Sequence, residues 1–116
     1  MPGYQTLKVW QKAMALSKLV YALTDRFPKK ETYNLIDQMN RAAISVCSNL
    51  AEGSRKIHKA EKRHYYTIAY ASASELETQI LLSKNIYPNL TDSYATIQDV
   101  ADHVCRLLNL LLRKFR

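Results

Sequence analysis

Residues 35–53 read LIDQMNRAAISVCSNLAEG, and within them Leu35, Met39, Ala43, Val46 and Leu50 recur every three or four positions. A chain that turns once every 3.6 residues brings those five side chains onto one face, whereas a strand would scatter them over two. The stretch is therefore expected to be a helix with an inward apolar stripe. Thr32 upstream is a reasonable N-cap. Gly53 fits the left-handed residue that closes many helices, which bounds this one at about 32–52.

The same periodicity extends in both directions. Upstream, Val9, Ala13, Leu16, Val20, Leu23 and Phe27 define a helix over about 6–26, stopped by Pro28 because the residue before a proline avoids helical geometry. Downstream, Tyr65, Ile68, Ala69, Ser72, Leu76 and Ile80 mark the expected core face of a third helix over about 58–85. Pro88 and Asn89 make the next turn, and Thr91 or Asp92 is placed to cap a fourth helix over about 92–115. With short connections, sequence neighbours run antiparallel, so the expected fold is an all-α, up-down-up-down four-helix bundle. Residues 1–116 are read as one domain, built of matched rods about 30 to 37 Å long.

Composition agrees. The 116 residues include two glycines and three prolines, too few turn formers for an all-β fold, and 47% apolar residues argue against wholesale disorder. Neither a signal peptide nor a membrane span is recognisable, so the protein is expected in the cytoplasm. Cys47 and Cys105 lie beside apolar neighbours within helical patterns and read as buried reduced thiols. In the last helix Leu107, Leu108, Leu110, Leu111 and Leu112 point in more directions than one core can accept, which suggests self-association.

Seventeen basic against ten acidic residues give a net charge of +7, which favours a polyanionic partner. The excess is densest at Arg55, Lys56, Lys59, Lys62 and Arg63, opposed locally by Glu61. Cations at the head of a helix oppose its dipole, at about 0.3 to 1 kcal/mol each, so the cluster is expected to bring no stability and to serve phosphate instead. On a helical projection Arg55, Lys59, Lys62, Arg63, Tyr66, Tyr70 and Lys84 share a sector about 100° wide. Such a face could neutralise phosphates and present rings for stacking, although tyrosines at that spacing more often pack at a helix or subunit seam. Lys8, Lys12, Arg113, Lys114 and Arg116 are weaker candidates for the same role.

No catalytic constellation is visible. Glu61 and His64 form one Glu-x-x-His pair where a di-metal bundle needs two, and His58 is poorly spaced from His64 for a shared ligand on one helix. Ser45, Ser48, Ser72 and Ser74 fall mid-helix, away from any nucleophile elbow or glycine-rich loop. The chain is expected to hold no catalytic residues, no metal and no cofactor.

Three groups of residues carry a family resemblance: Leu7-Lys8-Val9-Trp10-Gln11-Lys12-Ala13; Gln38-Met39-Asn40-Arg41-Ala42-Ala43, continuing to Ser45 and Asn49-Leu50-Ala51-Glu52-Gly53; and Ile68-Ala69 with Ser72-Ala73-Ser74-Glu75-Leu76-Glu77-Thr78-Gln79. Over nearly its whole length the sequence resembles the four-helix-bundle proteins encoded in intervening sequences of bacterial 23S rRNA genes. The resemblance implies a left-handed bundle assembled into a ring, commonly a pentamer. It also implies kinship with the nucleic-acid-binding accessory proteins of diversity-generating retroelements, whose protein partner is a reverse transcriptase. Arg41, Asn49, Glu52, Gly53, Ser72 and Glu75 match the family pattern and read as a polar network between the second and third helices plus a helix stop. His58 departs from the serine or threonine cap usual in the family, and Ala71 from a frequent glycine.

The expected function is that of a non-enzymatic homo-oligomer that binds RNA or DNA through phosphate contacts, without a membrane. The alternative is a protein-interaction scaffold for a polymerase or ribosome-related partner.

Overall fold

In the computed structural model, which describes residues 3–116, the apolar stripes of the chain converge on one axis. They lie on four α-helices: α1 (Lys8–Thr24), α2 (Asp37–Arg55), α3 (Lys59–Ile86) and α4 (Tyr94–Arg113). Each helix packs on the next in the chain, and α1 packs on α4 to close the circuit. The fold is an all-α, up-down-up-down four-helix bundle measuring 44 × 27 × 25 Å. No helix among the described residues is long and apolar enough to cross a membrane.

The inward stripes expected for the first two helices are all buried, from Val9 to Phe27 and from Leu35 to Leu50. The third is rotated from expectation. Its buried residues are Tyr66, Ala69, Ala73, Leu76, Gln79, Ile80 and Ser83, while Tyr65, Ile68 and Ser72 are half-buried. Polarity hid two of these positions: Ser83 is buried because its hydroxyl meets the Tyr94 hydroxyl at 2.9 Å. Of the fourth-helix leucines only Leu108 is fully buried; Leu107, Leu111 and Leu112 are half-buried and Leu110 is exposed.

The rods are not matched. At 28 residues, α3 is about 42 Å long, whereas the other three have 17, 19 and 20 residues. Before α1, Tyr4–Thr6 make a separate 3-10 turn. Before α2, Thr32–Ile36 form a wide π-type turn in which Tyr33 and Asn34 leave helical geometry. Thr32 does not cap α2, because its hydroxyl donates back to the Lys29 carbonyl at 2.7 Å and closes the preceding turn. Likewise Ser93, not Thr91 or Asp92, is the residue preceding α4; Thr91 Oγ1 accepts from the Ser93 N–H.

Gly53 does not end its helix. It lies inside α2, which continues to Arg55, and no glycine among the described residues has positive φ. Proximity explains it. A Cβ there would stand 2.7 Å from Tyr66 Cε1, 2.9 Å from Tyr66 Cδ1 and 3.1 Å from Tyr65 Cβ. Tyr66 is 3% exposed and lies against the Phe115 ring, with centroids 5.4 Å apart, so its ring has little room to retreat.

A helix-interior Gly→Ala change ordinarily stabilises by about 0.5–1 kcal/mol. Here the sign should invert. Gly53→Ala is expected to lower unfolding free energy by about 1–3 kcal/mol through overpacking, read from the urea midpoint. A variant as stable as its parent would remove the steric role.

Candidate nucleic-acid interface

Antiparallel alternation places four helix termini together: the starts of α1 and α3 and the ends of α2 and α4. Side-chain contacts join them. The Arg55 guanidinium lies over the Tyr4 ring, 5.1 Å from its centroid, and Tyr66 of α3 meets Phe115 beyond α4. Lys8 and Lys12 lie at the start of α1; Arg55 ends α2 and Lys56 follows it. Lys59, Lys62 and Arg63 begin α3, and Arg113, Lys114 and Arg116 finish the chain. Ten of the seventeen cations thus collect at one end, opposed there by Glu52 and Glu61. The remaining seven cations are matched by eight acids over the rest of the bundle. The fold therefore joins the principal cluster to the five weaker candidates, which are distant in sequence.

The principal cations are not equivalent. Lys62 is half-buried, and its Nζ donates to the carbonyls of Gly53 at 3.3 Å and Ser54 at 2.9 Å. Those carbonyls belong to the last turn of α2, where helical partners run out and a cation is favoured. The expectation that this cluster brings no stability is thus corrected at Lys62: seen from α2, the charge is well placed. Lys56 pairs with Glu52 at 3.6 Å and lies 5.3 Å from the Tyr65 ring centroid. Lys59 and Arg63, one turn apart on α3, are exposed and form no ion pair among the described residues.

An open groove of about 560 Å³ runs between the N-terminal turn and the α2–α3 corner, lined by Tyr4, Leu7, Ser54, Arg55, Lys62 and Tyr66 among others. Tyr66 is a core ring and not a stacking platform, and Tyr70 is half-buried, so the tyrosines of the expected basic sector serve packing. Among the described residues no three His, Cys, Asp or Glu side chains are grouped to hold a metal ion.

Comparison with known proteins places this architecture. Residues 5–110 match the model of the family described as 23S rRNA-intervening sequence protein. The chain belongs to that family. A crystal structure described as a protein of unknown function from the S23 ribosomal protein family of Bacteroides thetaiotaomicron is 18% identical. It superposes with a TM-score of 0.80 over 90% of this chain and 97% of that one, a likeness of fold. No curated protein matches.

In this intervening-sequence protein the family-patterned polar residues are only partly brought together. Ser45 and Ser72 share a hydrogen bond at 2.8 Å across α2 and α3, and Asn49 Nδ2 donates to the Ser45 hydroxyl at 3.0 Å and to its carbonyl at 2.8 Å. Arg41 and Glu75 are exposed and flank the same seam, where they line a shallow groove with Gln38, Ala42, Ser45 and Ser72. Glu52 stands apart, exposed and paired with Lys56, and Gly53 contributes space. Ser45 is the hub of the contact.

The cysteines are unreactive by environment. Cys105 is buried, and its thiol is pushed up to about 12 by burial and by the Glu77 carboxylate, to which it donates at 3.4 Å. Burial also raises the Cys47 thiol, half-buried beside Ser17. Neither supplies a thiolate near neutral pH.

The division among the cations has a measurable consequence. Lys62→Met should cost about 1–2 kcal/mol in urea unfolding, because two terminal carbonyls lose a charged donor. Lys59→Met and Arg63→Met should stay within about 0.5 kcal/mol of the parent. Equal effects at all three positions would refute the assignment of Lys62 as the cap of α2.

Proposed function

We propose that this intervening-sequence protein is a homo-oligomeric, non-enzymatic binding module that takes RNA or DNA at its basic end through phosphate contacts. The observation that carries the reading is the gathering of ten cations against two acids at one end of the bundle. A potential of one sign over one surface attracts a polyanion more strongly than the same charges dispersed. Lys59 and Arg63 are the principal free contacts, Arg55 and Lys56 flank them, and Lys8, Lys12, Arg113, Lys114 and Arg116 widen the surface. Lys62 contributes charge from a fixed position.

Fluorescence anisotropy with a labelled RNA 20-mer, titrated across salt, tests this. Binding should weaken steeply between about 50 and 200 mM salt, as counterion release requires. Lys59→Glu with Arg63→Glu should weaken it at least tenfold at about 100 mM salt and leave the fold intact by circular dichroism. Negligible binding at about 50 mM salt, or a double reversal without effect, overturns the proposal.

Self-association has its own support. Ile44, Leu81, Leu82, Ile86 and Leu110 are exposed apolar side chains on α2, α3 and α4, and the family resemblance implies a pentamer. Five copies would carry a formal charge of about +35, the avidity of a ring. Light scattering is expected to return a mass about five times the 13.4 kDa of one chain. A monomeric mass at micromolar concentration would exclude the assembly.

A further inference from the structure

The α2–α3 corner is only three residues long. Lys56 and His58 are both extended, at φ −74°, ψ 149° and φ −82°, ψ 138°, and together they throw Ile57 outward at the tip of the basic end. Ile57 is 88% exposed, an unusual position for a large apolar side chain within a run of cations. A polar residue at this bend would turn the chain without presenting hydrocarbon to water. The adjoining His58 is exposed as well and precedes α3 without making a side-chain capping bond.

We infer that Ile57, with His58, forms a base-contacting tip, so that the basic end selects nucleic acid with unpaired bases over continuous duplex. The inference rests on the phosphate-binding reading above and adds the class of nucleic acid. Phosphates held by Lys59 and Arg63 would bring neighbouring bases to the corner. In a duplex those bases are stacked and their faces hidden; in a single strand, loop or frayed end their faces accept apolar and planar side chains. A lipid surface fits less well, since one isoleucine amid cations gives little hydrocarbon to insert.

The test compares a single-stranded RNA 20-mer with a blunt, loop-free RNA duplex of equal phosphate count, at fixed salt, for the parent protein and for Ile57→Ser. The parent should bind the single strand at least about fivefold more tightly. Ile57→Ser should lose about tenfold on the single strand, with duplex affinity and salt slope unchanged. Two further measurements guard the interpretation: light scattering of the variant, and flotation of the parent with vesicles containing 30% phosphatidylserine. If neither nucleic acid binds, the phosphate reading itself falls. If both bind equally, or Ile57→Ser binds single strands as the parent does, phosphate binding stands and the base-contacting tip is wrong. An altered subunit count would reassign Ile57 to contact between copies, and vesicle capture lost on substitution would reassign it to membrane; either overturns the inference.

Discussion

Tyr66 occupies the core at the basic end of the bundle only because the residue facing it on α2 has no side chain. With the ring seated over Gly53, α2 and α3 close tightly at their shared corner, and Phe115 can pack on the ring from the other side. The same approach brings Lys62 within reach of the last carbonyls of α2. One small residue thus sets the spacing of two helices, the cap of one and the seat of the chain's final aromatic. The charged surface takes its shape from that corner.

The electrostatics of this end follow from the topology more than from any single helix. Two helix starts and two helix ends meet there, so positive and negative dipole ends alternate around the bundle and largely cancel. Backbone N–H groups at the head of α3 add little net attraction for an anion when the carbonyl end of α2 lies beside them. Attraction must come from side chains. Such a field is screened over about 10 Å at 0.1 M salt and is felt chiefly by a partner that lies along the surface.

Much of the bundle is legible because two of its helices follow a single rule closely. In α1 and α2 the main buried stripe is apolar and spaced at three and four, so periodicity identifies it; Thr24, buried beside Leu23 with its hydroxyl donating to Asn40 Oδ1, is the exception. In α3 the rule breaks. Gln79 and Ser83 are buried, and Tyr65 and Ile68 are not fully so, because small alanines at 69 and 73 set the inner seam and a tyrosine hydroxyl satisfies the serine. Gly53 is ambiguous in the sequence, since a glycine near a helix end suits a turn and a close contact equally well until the opposing ring is placed. The principal basic cluster was legible as a run in the chain. Its division was not, because whether a lysine is free or bonded depends on carbonyls nine and eight residues away. Ile57 is silent in the sequence for a related reason: an apolar residue in a turn gives no signal until its exposure is known.

The cations left free also bear on how discriminating this surface is. Reading a base edge in a duplex groove calls for planar donors held in register by packing or by further hydrogen bonds. Here the guanidinium of Arg55 is laid against Tyr4, and Lys62 is tied to α2, so the best-ordered donors are engaged within the chain. Lys59 and Arg63 extend from an exposed first turn on long flexible stems, which suits phosphates in many arrangements and fixes none. Selectivity at such a surface has to arise from what else projects beside the phosphates. At the α2–α3 corner that is hydrocarbon and imidazole, groups that distinguish exposed base faces from stacked ones without distinguishing one sequence from another.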